Sequence, residues 1–363
     1  MKESIQKSTH GDGRELSDLV AGSATFPCGK CLVAIGEMEK ALFLKGDLWE
    51  ELCSMTSECV MIPPGRPTPE KWKEMLLESD CDLLIVGWSS LAIPEDFPLE
   101  DHPLQYVCSL VGGVQTKVSK SLLERGLKYT NWGGSISRTI AESTLMLTLM
   151  ALRRASYWHE VIHHDNGWRR FPDDAVELSL FERRVGIHGF GRIARELVEL
   201  LRPFRVEIAT YCPSVSDDLL AEYEVSRTDS LEALFEENEI LIELAGLTEE
   251  TRGSVTEDIL RRIRDGGVFV NVGRAAVVEE AALIRIAEEG RIRIALDVFH
   301  REPLEEDSLF RQLGDITVMP HQSGPTLDRM RDAGEFALAN IRRYLSNEPL
   351  DALVNPFLYE QMT

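Results

Sequence analysis

The sequence lacks a long apolar run. The longest, around Leu145 to Leu152, is too short for a bilayer and falls inside a patterned helix. The first residues are polar, so neither a signal peptide nor a membrane span is expected. Cations are scarce as well. Lys and Arg number 39 against 61 Asp and Glu, a formal net charge of −22. Such a field repels nucleic acid and anionic membranes, which excludes both as general partners. An anionic small molecule would then need a local positive group. Paired cysteines are missing too. Seven are scattered along the chain, an odd number that suits a reducing cytoplasm better than a disulfide framework. Cys28-Gly-Lys-Cys31 has redox-motif spacing, but a strand follows it rather than a helix that could lower a thiol pKa. With no second such pair, no zinc site is expected, and no repeat occurs at solenoid periods.

What remains is an ordinary soluble composition, 44% hydrophobic and 28% charged, over 363 residues. That length supports two domains with their own cores. Residues 1–27, rich in Gly, Ser and charge, read as a loose extension. Strands and helices then alternate. Strands are predicted at Cys31–Ile35, Cys59–Ile62, Leu83–Val86 and Tyr106–Val111, with helices at Lys45–Cys53, Thr68–Leu77 and Ser119–Arg125. Asn131-Trp-Gly-Gly134 breaks the pattern and opens a long helix, Ser137–Arg154. After an irregular segment a second series follows, with strands near Val206–Tyr211, Ile240–Leu244, Val268–Val272, Ile294–Val298 and Ile316–Met319, then a last helix, Thr326–Leu345. Apolar strands alternating with helices predict α/β architecture, with parallel, doubly wound sheets covered on both faces.

The second series opens on Arg184-Val-Gly-Ile-His-Gly-Phe-Gly-Arg-Ile-Ala-Arg-Glu-Leu-Val-Glu-Leu-Leu201. This reads as a buried strand, a glycine turn and an amphipathic helix with Ile193, Leu197 and Leu201 on one face. The turn Gly189-Phe190-Gly191-Arg192-Ile193-Ala194 has the G-x-G-x-x-A form of a dinucleotide fingerprint. Gly189 permits the tight turn, Gly191 lets a pyrophosphate approach the backbone, and Ala194 lets helix and strand pack closely. The unpaired amides of the helix N-terminus then face the anion. On the motif alone, a simple strand–helix connection is the competing reading.

Ligands of open parallel sheets bind at the C-terminal strand ends, and three ionisable residues follow such ends. Arg274 ends Gly267-Val-Phe-Val-Asn-Val-Gly273, Glu302 follows the strand ending at Val298, and His321 ends Ile316-Thr-Val-Met-Pro320. Their chemistry fits hydride transfer to a keto acid. Arg274 would pair with the substrate carboxylate and polarise the carbonyl. His321 would give and take the carbonyl proton, and Glu302 would hold its other ring nitrogen. His159, His163 and His164 have helical spacing suited to a metal. No third ligand from elsewhere is evident, so they are assigned to a helix face and no metal is expected.

The chain resembles the D-isomer-specific 2-hydroxyacid dehydrogenase family over nearly its whole length after residue 30. The resemblance rests on Glu124-Arg-Gly-Leu-Lys-Tyr-Thr-Asn131, Thr139-Ile-Ala-Glu-Ser-Thr-Leu145, Gly167-Trp168, Leu247-Thr-Glu-Glu-Thr-Arg-Gly253, Asn271-Val-Gly-Arg274, Ala295-Leu-Asp-Val-Phe299 with Glu302-Pro303, and Pro320-His321. It implies two Rossmann-like domains, with a cofactor domain (131–324) inserted into a flavodoxin-like substrate domain (28–130 and 325–363). It implies the catalytic set Arg274, Glu302 and His321, with Asp297 bonding the nicotinamide carboxamide. The candidate cofactor contacts are Gly189, Phe190, Gly191, Arg192, Ile193, Cys212, Val272, Gly273, Arg274, Asp297, His321 and Gly324. The candidate substrate contacts are Ser89, Gly112, Gly113, Arg274 and His321. A homodimer through the cofactor domain is implied, with Ser137–Arg154 and the arm that follows it at the interface.

The chain also departs from the family. Cys212 stands where an acidic residue would bind the adenosine ribose, and no arginine follows immediately, so NAD and NADP both remain open. Gln115-Thr116 makes the substrate loop unusual, Gly246 stands where proline is common, and Glu302 in place of glutamine argues against formate. The expectation is an NAD(P)-dependent enzyme interconverting a small 2-keto acid and its D-2-hydroxy acid. A dinucleotide-binding regulatory or scaffold protein with little turnover is the alternative.

Overall fold

The computed structural model describes residues 29–62, 67–163 and 177–359. Their strands form two all-parallel sheets. The first contains β1 (Lys30–Ala34), β2 (Glu58–Met61), β3 (Leu83–Val86), β4 (Tyr106–Ser109) and β5 (Lys128–Thr130), in the order β2-β1-β3-β4-β5. That is the flavodoxin-like order, with its reversal between β1 and β3. The second contains β6 (Arg184–His188), β7 (Glu207–Tyr211), β8 (Ser226–Arg227), β9 (Ile240–Glu243), β10 (Val268–Asn271), β11 (Arg293–Leu296) and β12 (Thr317–Val318). Its order, β12-β11-β10-β9-β6-β7-β8, is Rossmann-like, and its reversal lies between β6 and β9.

Hydrophobic pattern explains why these segments are central. Every residue of β3, β4, β9 and β10 is buried, as expected where helices cover both faces. β2 at the sheet edge alternates between exposed and half-buried positions instead. The long helix Ser137–Arg153 packs Ala141, Leu147, Ala151 and Leu152 onto the second sheet, against Val185, Ala194 and Leu197. The last helix, Met330–Leu345, returns to the first sheet. There Ala333, Ala337, Ile341 and Tyr344 share a core with Phe43, Leu48 and Tyr106. Gly334 makes that return possible, because a Cβ there would collide with the Phe43 carbonyl.

Several boundaries differ from the sequence reading. The helix expected at Lys45–Cys53 runs over Leu48–Met55, and an earlier helix at Glu37–Phe43 was not foreseen. The last helix begins at Met330 rather than Thr326, since the Arg329 amide closes a turn on the Thr326 carbonyl at 2.9 Å. β5 and β8 have three and two residues, too few for an alternation to register. Cys31 lies opposite Cys59 in the β1–β2 register. The Cys59 thiol and burial hold the Cys31 thiol well above its ordinary pKa, so Cys31 is no reactive thiolate. Cys28, His164 and Gly167-Trp168 lie outside the described residues.

Candidate active site

The glycine turn follows directly from β6. Gly189 has φ +87°, and a Cβ there would lie 2.8 Å from the Ala245 Cα, so only glycine fits. A Cβ at Gly191 would meet no heavy atom within 4 Å. That open space is where a ligand can approach the backbone. The helix Arg192–Leu201 starts there without a side-chain cap, so its first amides face the opening. Ala194, Leu197, Val198 and Leu201 are buried, which seats the helix against the sheet.

Arg274 follows β10 on a short, braced segment. The Gly273 amide donates to Asn271 Oδ1 at 3.0 Å, and the Arg274 guanidinium donates to the Gly273 carbonyl at 2.9 Å. Partial desolvation lowers the Arg274 pKa, opposed by the negative charge of Glu302 nearby. Arginine stays charged all the same.

The other two residues meet directly. His321 Nδ1 lies 2.6 Å from Glu302 Oε2, and Glu302 Oε1 accepts the Phe299 amide at 3.0 Å. A carboxylate on Nδ1 selects the tautomer whose Nε2 is free to exchange a proton. Asp297, 1% exposed, accepts the amides of Gln322 at 2.8 Å and Ser323 at 2.9 Å. The loop that follows β12 is thereby tied to the end of β11.

Between the two sheets lies a cleft of about 550 Å³. The first-sheet side contributes Trp88, Gly112, Gly113 and Trp132. The second contributes Ile193, Leu244–Leu247, Val272, Gly273, Arg274, Asp297, His321 and Gly324. The Gly112 and Gly113 carbonyls are held by Asn131 Nδ2 at 3.0 Å and Tyr129 Oη at 2.7 Å, which fixes the orientation of that loop.

Not every candidate lines the cleft. Ser89 is engaged elsewhere, its amide and hydroxyl both donating to the buried carboxylate of Glu39. Its neighbour Trp88 takes the wall position instead. Glu302 stands behind His321 and reaches the cleft through it. The side chain of Phe190 is turned into the core beside Tyr223, and that of Arg192 lies over Gly134. Cys212 is half-buried after β7, its Sγ 3.5 Å from Ser214 Oγ. His159 and His163 stack with ring centroids 4.4 Å apart, and no group of three metal-ligating side chains occurs among the described residues.

Sequence reading missed Arg227, which reaches the Cys212 segment from β8. It donates to the Cys212 carbonyl at 3.1 Å, the Val215 carbonyl at 2.6 Å and Asp217 at 2.8 Å. The β7–β8 register, with Thr210 opposite Arg227, is what brings it there. Trp132 was read only as part of the break that opens the long helix. Its indole packs where a Cβ on Gly112 would otherwise sit, 2.5 Å from Nε1.

Residues 145–323 match the model of the D-isomer specific 2-hydroxyacid dehydrogenase NAD-binding domain. A glyoxylate reductase of Aeropyrum pernix is 30% identical over 239 residues, 63% of this chain and 70% of that protein. The chain belongs to the D-isomer specific 2-hydroxyacid dehydrogenase family. A glyoxylate/hydroxypyruvate reductase of Arabidopsis thaliana is 29% identical over 260 residues, 70% of this chain and 79% of that protein. The crystal structure of the PH0520 protein from Pyrococcus horikoshii superposes with a TM-score of 0.72 at 25% identity, covering 90% of this chain and 95% of that one. This 2-hydroxyacid dehydrogenase therefore uses a nicotinamide dinucleotide, and its own residues fit one. The open space over Gly191, the uncapped helix start and the glycine-only turn at Gly189 form the cradle a pyrophosphate needs.

Proposed function

We propose that this dehydrogenase interconverts a 2-oxo acid with an uncharged side chain and the corresponding D-2-hydroxy acid. The observation that carries the reading is the 2.6 Å His321–Glu302 contact, set on the same rim as Arg274. The dinucleotide, when bound, supplies or accepts the hydride. Arg274 pairs with the substrate carboxylate and polarises the carbonyl. His321 Nε2 delivers the proton to the carbonyl oxygen in reduction and removes it in oxidation. Glu302 holds the imidazole in the required tautomer and balances its positive charge. Gly112 and Gly113 present backbone to the carboxylate, and the indoles of Trp88 and Trp132 wall the side-chain end.

Charge limits the substrate. Among the described residues lining the cleft, Arg274 and His321 are the cationic side chains, in a chain of net charge −22. One carboxylate is matched by that pair, whereas a phosphorylated 2-oxo acid brings further negative charge with no partner. The domain division, 28–130 and 325–363 for substrate and 131–324 for cofactor, belongs to the same reading. So does a homodimer through the outer face of Ser137–Arg153, where Leu145, Met146, Leu149 and Met150 line a shallow apolar groove. Free cysteines among the described residues, none of them disulfide-bonded, suit the cytoplasm. No helix there is long and apolar enough to cross a membrane.

The test follows NADH and NADPH oxidation at 340 nm over glyoxylate, hydroxypyruvate, pyruvate, phenylpyruvate and 2-ketoisocaproate, with phosphohydroxypyruvate as a more highly charged comparison. Oxidation with at least one unphosphorylated acid, exceeding that with the phosphorylated one, is expected. Binding of either dinucleotide without oxidation by any acid contradicts the proposal.

A further inference from the structure

Beneath the glycine turn lies a pair of titratable side chains that the reaction does not use. His188 ends β6 and Glu243 ends β9, and the two stand opposite one another in the parallel register. His188 Nδ1 is 2.6 Å from Glu243 Oε2, and their side chains are 5% and 0% exposed. The second carboxylate oxygen accepts the Ala245 amide at 2.8 Å. The His188 carbonyl accepts the Leu244 amide at 3.0 Å.

Stability does not account for such a pair. Burying two polar, ionisable groups costs desolvation free energy that their attraction barely offsets, and well-packed apolar replacements of buried ion pairs are often neutral or stabilising. Its neighbours point to a different role. His188 immediately precedes Gly189, whose missing Cβ lets the turn approach the Ala245 backbone. Glu243 immediately precedes Leu244–Leu247, which lines the cleft. One carboxylate therefore holds the residue before the turn and also the amide that sets the course of the chain through Ala245 and Gly246. The two segments lie at the β6–β9 reversal, where this sheet type opens its ligand crevice.

We infer that the His188–Glu243 pair is a positioning device for the dinucleotide, locking the glycine turn and the Leu244–Leu247 loop into one register. The inference rests on the reading of the cleft as a dinucleotide site. Neither side chain lines the cleft, so the pair acts on cofactor affinity and leaves the chemical step alone.

The test compares the wild type with the apolar double variant His188→Val/Glu243→Leu and with Glu243→Gln and Glu243→Asp. Readouts are Tm, the Kd for NADH and NADPH by fluorescence, and kcat at saturating cofactor. The double variant should stay folded with a Tm at or above that of the wild type. Its dinucleotide Kd should rise about tenfold or more, the scale of one lost buried hydrogen bond. Its kcat should be unchanged. Glu243→Gln still offers an oxygen to Ala245 and a partner to His188, so it should keep near-wild-type affinity. Glu243→Asp keeps the carboxyl group but shortens the reach, and it should weaken binding; it carries the test if the double variant fails to fold. Wild-type affinity in a folded double variant, or in folded Glu243→Asp, overturns the inference alone. A wild type that binds neither dinucleotide overturns the cofactor reading together with it.

Discussion

Arg274, Glu302 and His321 are legible in the sequence because each follows an apolar run short enough to be a buried strand, and an ionisable residue just past such a run lies on the ligand rim. What order alone does not show is which side chain is already taken. Ser89 has the right address beside the cleft, yet Glu39, fifty residues earlier, claims its hydroxyl. That His188 has Glu243 for a partner shows only once the register sets the two face to face. Arg227 illustrates the same limit beside Cys212. It comes from the neighbouring strand and braces the segment beginning at Cys212. Cys212 has no carboxylate to repel a 2′-phosphate, and Cys212→Asp supplies one. The ratio of kcat/KM for NADPH to that for NADH should fall in this variant by roughly tenfold or more, the effect of one close like charge. An unchanged ratio means that the residue does not face the ribose.

Elements are recovered where the pattern is long enough. Leu83–Val86 is a strand in both the reading and the structure, and Ser137–Arg153 differs by one residue from its expected span. Thr68 and Ser119, whose side chains accept the Lys71 and Leu122 amides, mark their helix starts as capping chemistry predicts. β5 and β8 escape because two or three residues make no period, and pairing with β4 and β7 is what makes them strands. Within the strand–turn–helix unit, the two turn glycines have separable duties. Gly189→Ala combines a left-handed φ, costing roughly 1–2 kcal/mol by itself, with a backbone collision at Ala245. It should lower the Tm of the cofactor-free protein. Gly191→Ala meets nothing in the free protein, so its Tm should be unchanged while dinucleotide affinity falls. Scanning calorimetry and cofactor titration of both variants check the pair. A lowered Tm in Gly191→Ala, or undiminished cofactor binding by it, contradicts this division of roles.

At the scale of the whole molecule, the chain leaves the first sheet at β5, builds the second, and returns through Met330–Leu345, so one polypeptide spans the cleft twice. The alternation of elements makes two doubly wound sheets readable in advance. The return is harder to read, because its proof is the close packing of Gly334 on the Phe43 carbonyl nearly three hundred residues away. The outer face of Ser137–Arg153 leaves Met146 39% exposed beside Leu145 and Leu149. A dimer there predicts a light-scattering mass twice the 40.9 kDa of the chain, and Met146→Glu should shift the population to monomer by placing a charge in the apolar interface. A wild-type monomer at micromolar concentration contradicts that assembly.

The central claim is that His321, held by Glu302, moves the proton at a carbonyl fixed by Arg274. Its most direct test is a single-turnover measurement of reduced-cofactor oxidation by His321→Ala beside the wild type, with cofactor Kd measured in parallel. The account predicts a rate lowered about 10²–10⁴-fold, the usual contribution of a positioned acid–base group, with cofactor affinity nearly unchanged. An undiminished rate in a variant that binds cofactor normally would contradict it.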